Sequence, residues 1–160
     1  MITTLVPDTL DYLVALFSNA ATIGAADPPV TVFDGPVPTA GPVPLALWVG
    51  VDDVHTMAQR DPTLAADSEK RRNDASQGRE ETITVHCIAA AWTGNEELGY
   101  SPLRAAAKSI VTAVETITIS DRANAPAFNQ TPGVTAGEWW QQPLNGLLVY
   151  VPFQIIYTAL

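Results

Sequence analysis

A single cysteine, Cys87, has no partner in the chain, so no internal disulfide staples the fold. There are only two histidines, His55 and His86, a poor set for a metal centre of spaced Cys and His ligands. Basic residues are scarce: eight Lys and Arg stand against seventeen Asp and Glu, for a formal charge of −9. A protein that grips nucleic acid through its phosphates needs clustered Lys and Arg, so that class is excluded. A wall past which nucleic acid slides is not. There is no Gly-rich phosphate loop, no G-x-S-x-G elbow, no H-E-x-x-H and no C-x-x-C. The opening MITTLVPDTLDYL lacks a basic region followed by an apolar run, so no signal peptide is expected. The last 17 residues are strongly apolar but contain Asn145, Gly146, Pro152 and Gln154. A spanning helix needs about 20 apolar residues, and the wealth of Val, Ile, Tyr and Phe favours a buried strand. A soluble chain in the cytoplasm is the expectation.

The 47% hydrophobic content over 160 residues supports a real core in one domain spanning 1–160. Pro7 and Asp8 suit a helix start, and Leu10, Leu13, Val14, Phe17 and Ala21 recur at helical spacing, predicting a helix over about 7–21. Val30, Val32 and Phe33 predict a short strand, and LALWVGV a second, joined by a Pro- and Gly-rich connector. Residues 52–81 hold eight acids and five bases with no apolar period. That stretch reads as a long, solvated loop between strands. Asp52 and Asp53 follow a strand, where metal-binding acids do occur; a strand end entering solvent is the plainer reading. Lys70, Arg71 and Arg72 are too few, and too closely flanked by acids, for a nucleic-acid patch.

ETITVHCIAAAWTG, 81–94, raises the question of a His–Cys pair. In a strand, side chains alternate between faces. Ile83, Val85, Cys87, Ala89 and Ala91 then share one face; Thr82, Thr84, His86, Ile88 and Trp92 share the other. His86 and Cys87 diverge and form no dyad, which leaves Cys87–His55 as the only other thiol–imidazole combination. Next comes a helix with Ser101 as N-cap, Pro102 in its first turn and a stripe of Leu103, Ala106, Ala107, Ile110, Val111, Val114 and Ile117, ending near 117. A turn-rich connector with a short strand near Ile117–Ile119 leads to a strand over GEWWQQ. PLNG reads as a hairpin turn and 147–159 as a long strand with apolar groups on both faces. Alternation sends one of Trp139 and Trp140 to the core and the other to the opposite side. Glu80–Glu81 and Glu96–Glu97 read as solvated charge at element ends. Pro152 implies an edge strand or a bulge.

The expected architecture is therefore α+β: a mainly antiparallel, mixed sheet of about four to six strands with two helices on one face. One sheet face is left for a second chain. Trp139, Trp140, Tyr150, Gln154 and Ile156 are the candidate subunit interface. Asp52, Asp53, Lys70, Arg71 and Arg72 are the candidate lumen or partner loop.

The run of VTVFDGP, LALWVGVDD, a polar segment, REETITVHCIAAAWTG, LRAAAKSIVTAVETI and LLVYVPFQIIYTAL resembles the tail terminator proteins of long-tailed bacteriophages, also called tail completion or head–tail joining proteins, especially those of actinobacterial hosts. The resemblance covers nearly the whole chain through element order. It implies a virion protein, assembled in the host cytoplasm, that forms a hexameric ring at the head-proximal end of the tail tube. Such a ring stops tube polymerisation, meets the tail tube protein on one side and the head–tail connector on the other, and passes DNA through its lumen. It implies no enzymatic activity and no cofactor. Two other readings stand beside it: a head-completion or connector adaptor of the phage neck, and a small metal-dependent enzyme built on Asp52 and Asp53.

Overall fold

The computed structural model describes residues 4–36, 43–51, 65–72, 79–126 and 132–159. Two long strands form its spine. Strand β4, Arg79–Thr93, runs antiparallel to β7, Leu147–Ala159, with Glu81 opposite Ala159 at one end and Thr93 opposite Leu147 at the other. Short strands flank the pair. On the outer side of β4 lie β2, Leu45–Val49, and β3, Ala66–Arg72, both antiparallel to it. β1, Thr31–Asp34, adds in parallel to β2. On the outer side of β7 lie β5, Gly133–Ala136, and β6, Trp140–Pro143. The result is one seven-stranded mixed sheet in an α+β domain, with more strands than the expected four to six.

Two strands are unexpected: β5, in the stretch read as a turn-rich connector, and β3. The β3 sequence, ADSEKRR, has no apolar alternation, which is why the segment 52–81 reads as loop. The backbone ladder with β4 makes it a strand, paired in register from Ala66 opposite Val85 to Arg72 opposite Arg79. The long-loop expectation is thus corrected for 66–72 and 79–81; residues 52–64, with Asp52, Asp53 and His55, lie outside the described residues.

Both helices pack on one sheet face. Helix α1, Val6–Asn19, buries Thr9, Leu13 and Phe17; helix α2, Ser101–Ser120, buries Leu103, Ala107, Ile110, Val114 and Thr118 at spacings of three and four. Leu13, Phe17, Ile110 and Val114 meet Ile83, Val85, Cys87, Ala89, Val151, Phe153, Ile155 and Tyr157 in the main core. Each fully buried Leu, Ile or Phe here contributes roughly 1.5–3 kcal/mol. Three local expectations change. Ala21 is exposed because α1 stops at Asn19. Ser101 is the first helical residue, not a cap, and Tyr100 precedes it without a side-chain cap. Residues Ile117–Ile119 belong to α2, since its stripe continues to Thr118.

Glu81 is a further correction. It is 7% exposed, not a solvated strand end. Its Oε1 accepts from the Leu5 backbone N–H at 2.9 Å, and its Oε2 from the Thr4 hydroxyl at 2.9 Å and the Ser68 hydroxyl at 2.6 Å. A carboxylate on β4 thereby caps the N-terminus of α1, where negative charge is favoured by the helix dipole.

Pro152 lies in β7, a central strand, and the disturbance it causes appears in the neighbour. Ala136 faces Phe153 and Trp140 faces Tyr150, so three residues, 137–139, stand opposite two, Val151 and Pro152. That is a one-residue bulge. The Pro152 carbonyl points to this side, accepting from Gly137 N–H at 2.7 Å, so the N–H that proline lacks is missing from the same side. The outer strand breaks there into β5 and β6. The extra residue also shifts the alternation, so Thr135 faces Gln154 and Trp140 faces Tyr150 on one and the same sheet face.

Candidate functional site

Cys87 and His86 lie on opposite sides of the sheet. Cys87 is fully buried in the main core, and burial pushes its thiol up to about 12. A thiol that stays protonated in an apolar core is no nucleophile. Thiol-directed reagents are expected to label Cys87 only as fast as the protein opens, so labelling at several denaturant concentrations should track unfolding. Rapid labelling of the folded protein would contradict the placement. On the helix-covered side, the Tyr12 hydroxyl donates to the Asp121 carboxylate, and burial together with that bond raises the phenol far above its ordinary range. Tyr157 is raised mainly by burial. The Tyr12 bond ties α1 to the end of α2, whereas the buried Tyr157 hydroxyl has no hydrogen-bond partner among the described residues.

The other sheet face has two halves. At the β2–β6 end it is apolar. Ala46, Val51, Ile88, Ala90, Leu148 and Tyr150 form a buried cluster, with Phe33, Trp48 and Trp92 packed against it. No helix residue belongs to that cluster. Aromatic rings cover it instead. Phe33 stacks on Trp48 with centroids 5.1 Å apart, and Trp140 stacks on Tyr150 at 6.3 Å and nearly parallel, 6°. Trp92 donates its indole N–H to the Leu144 carbonyl at 2.8 Å, fixing the β6–β7 turn. Trp140 is 48% exposed, Trp139 45% and Leu144 41%. The Trp48 indole N–H is buried and finds no acceptor among the described residues.

At the β3–β5 end the same face is polar. His86, Gln154 and Thr135 stand in one row across β4, β7 and β5. The His86 Nε2 lies 3.3 Å from an Asp67 carboxylate oxygen. Ile156, half-buried, is on this face too.

Several sequence-derived site residues fall together. Trp140, Tyr150, Gln154 and Ile156 share this second face, although Tyr150 is only 3% exposed and contributes as the support under Trp140. The expectation that one of Trp139 and Trp140 faces the core is corrected: both are exposed, because Trp139 precedes β6 and the bulge resets the alternation. Lys70, Arg71 and Arg72 are placed by their backbones in β3, and Asp52 and Asp53 lie outside the described residues. Sequence reasoning missed Phe33 and Trp48 as members of the aromatic face. Their signal is register: β1 sets Phe33 directly beside Trp48, and Trp48 stands opposite Ile88.

Among the described residues no group of three or more His, Cys, Asp or Glu is placed to hold a metal ion, and no helix is long and apolar enough to cross a membrane. No protein-family model matches the chain, and no curated protein matches it.

Proposed function

We propose that the chain is a ring-forming structural subunit of a long-tailed phage virion, a tail terminator that closes the head-proximal end of the tail tube. The observation that carries this reading is the apolar half of the second sheet face. It displays Trp140, 48% exposed, on β6 beside β7, stacked on Tyr150 of a buried cluster that owes nothing to the helices. Trp is enriched at interface hot spots, and a large aromatic held by a strand loses little freedom on docking. A closed ring needs head-to-tail contact between two different surfaces of the same chain. In this reading the aromatic half is one of them, met by another side of the next subunit.

The charge supports the same reading. With −9 per chain, a six-membered ring presents a strongly negative body, and a negative lumen repels phosphate and lets duplex DNA pass without holding it. The element order, helix then strands then helix then a long last strand, supports the resemblance to tail terminators. No catalytic residue is assigned.

The role is tested by adding the purified chain to polymerising tail-tube subunits of the same phage. Tubes that stop growing and carry a ring at one end are the expected outcome. Tubes of unchanged length, with the chain bound instead to head connector rings, would make it a neck adaptor.

A further inference from the structure

The bulge opposite Pro152 opens a groove of about 360 Å³ on the second face, lined by His86, Thr135, Gly137, Pro152 and Gln154 among others. That volume lies at the small end of ligand-binding pockets. Gly137 admits no larger residue without crowding: a Cβ there would stand 3.1 Å from the Pro152 carbonyl oxygen. Close backbone approach at the bulge therefore favours glycine at 137.

Its chemistry is one-sided. Imidazole, carboxamide and hydroxyl groups converge from three strands, while the Pro152 ring and Ala136 give an apolar wall. Among the described residues that line it there is no Lys or Arg. A carboxylate stands beside it: Asp67, its side chain 54% exposed, touches His86. The residue after Gly137 is Glu138, also exposed. An aliphatic stem along an apolar wall with a cationic head against acceptors and a carboxylate is the way Lys and Arg side chains bind.

We infer that this groove receives one basic side chain, lysine or arginine, from a partner protein segment running beside β5. A polypeptide is the occupant because, among the described residues, β5 is the last strand on its side of the sheet, and the exposed Trp140 lies on the same face just beyond the bulge. A segment passing one meets the other. The overall charge of −9 favours a basic segment over an acidic one. This inference goes beyond the ring reading and does not require it, since the groove lies within one subunit.

The test is a backbone-amide NMR titration of the full chain with a capped arginine tetrapeptide, its norleucine and glutamate counterparts, and free guanidinium. Saturable shifts confined to residues around 86, 135–137 and 154, seen with the arginine peptide and not with the other two peptides, are expected. Asp67→Asn should weaken that binding by roughly three- to fivefold, the size of one partly exposed charge contact. Thr135→Arg, on an exposed edge position, should fill the groove from within and abolish it. Equal shifts with norleucine or glutamate, no shifts at all, or undiminished binding to Thr135→Arg would overturn the inference. Free guanidinium binding as tightly as the peptide would overturn the protein-segment assignment. Because the readout is local, it holds whether or not rings form.

Discussion

Replacing Glu81 with Ala is expected to lower the unfolding free energy by about 3 kcal/mol, an unusually large loss for a residue near a strand end. The reason is the number of donors that depend on one carboxylate. The Leu5 N–H, the Thr4 hydroxyl and the Ser68 hydroxyl all point at Glu81, which is 7% exposed. Removing it leaves the half-buried Thr4 and Leu5 donors without their acceptor and takes a negative charge from the N-terminus of α1. Because Thr4 and Leu5 precede α1 and Ser68 lies in β3, a single change should loosen two elements that are distant in sequence. Hydrogen exchange should rise in the first turn of α1 and in β3 together. Glu81→Gln keeps one acceptor oxygen and should cost about half as much. A urea midpoint unchanged by Glu81→Ala would show that the carboxylate is not the cap described here.

Trp140→Ala is expected to do the reverse: little to the fold and much to assembly. The ring is 48% exposed and rests on Tyr150 at the sheet edge, so truncation should cost about 1 kcal/mol or less of folding stability. At the centre of a subunit contact the same truncation should cost about 2 kcal/mol, a roughly 30-fold shift in association. Trp139→Ala should have the smaller effect, because Trp139 stands outside the β6 ladder. Sedimentation of both variants beside the parent chain reads the difference. Equal association by all three would remove Trp140 from the interface.

Much of this fold was legible where burial is one-sided. In β4 the alternation of Ile83, Val85, Cys87 and Ala89 marks the helix-covered face, and all four lie in the main core. The stripe of α2 is equally plain, because a helix between sheet and solvent must be amphipathic. Three things were not legible, each for a physical reason. β3 has no apolar face, so its strand character comes from pairing with β4 and leaves no period to read. Glu81 looks solvated in one dimension, since its partners Thr4 and Leu5 are 77 and 76 residues away. The face of Trp140 depends on the extra residue opposite Val151 and Pro152, and an insertion in a ladder is invisible until the register is known. Pro152 did carry the warning, but its consequence falls on the neighbouring strand.

The site was legible in part. Of the expected interface residues Trp139, Trp140, Tyr150, Gln154 and Ile156, all but Trp139, which precedes β6, are in ladder positions on one face. That this face divides into an aromatic half and a polar half was not foreseen. The division follows from register: Ile88, Ala90, Leu148 and Tyr150 gather at one end of the ribbon, and His86, Gln154 and Thr135 at the other.

The most direct test of the ring proposal is light scattering on a sizing column across a concentration series, with the largest species imaged by negative stain. Closed rings of about six subunits, with a lumen wide enough for duplex DNA and loss of the ring species in Trp140→Ala, are the predicted result. A chain that remains monomeric at every concentration, with and without tail tubes present, would contradict it.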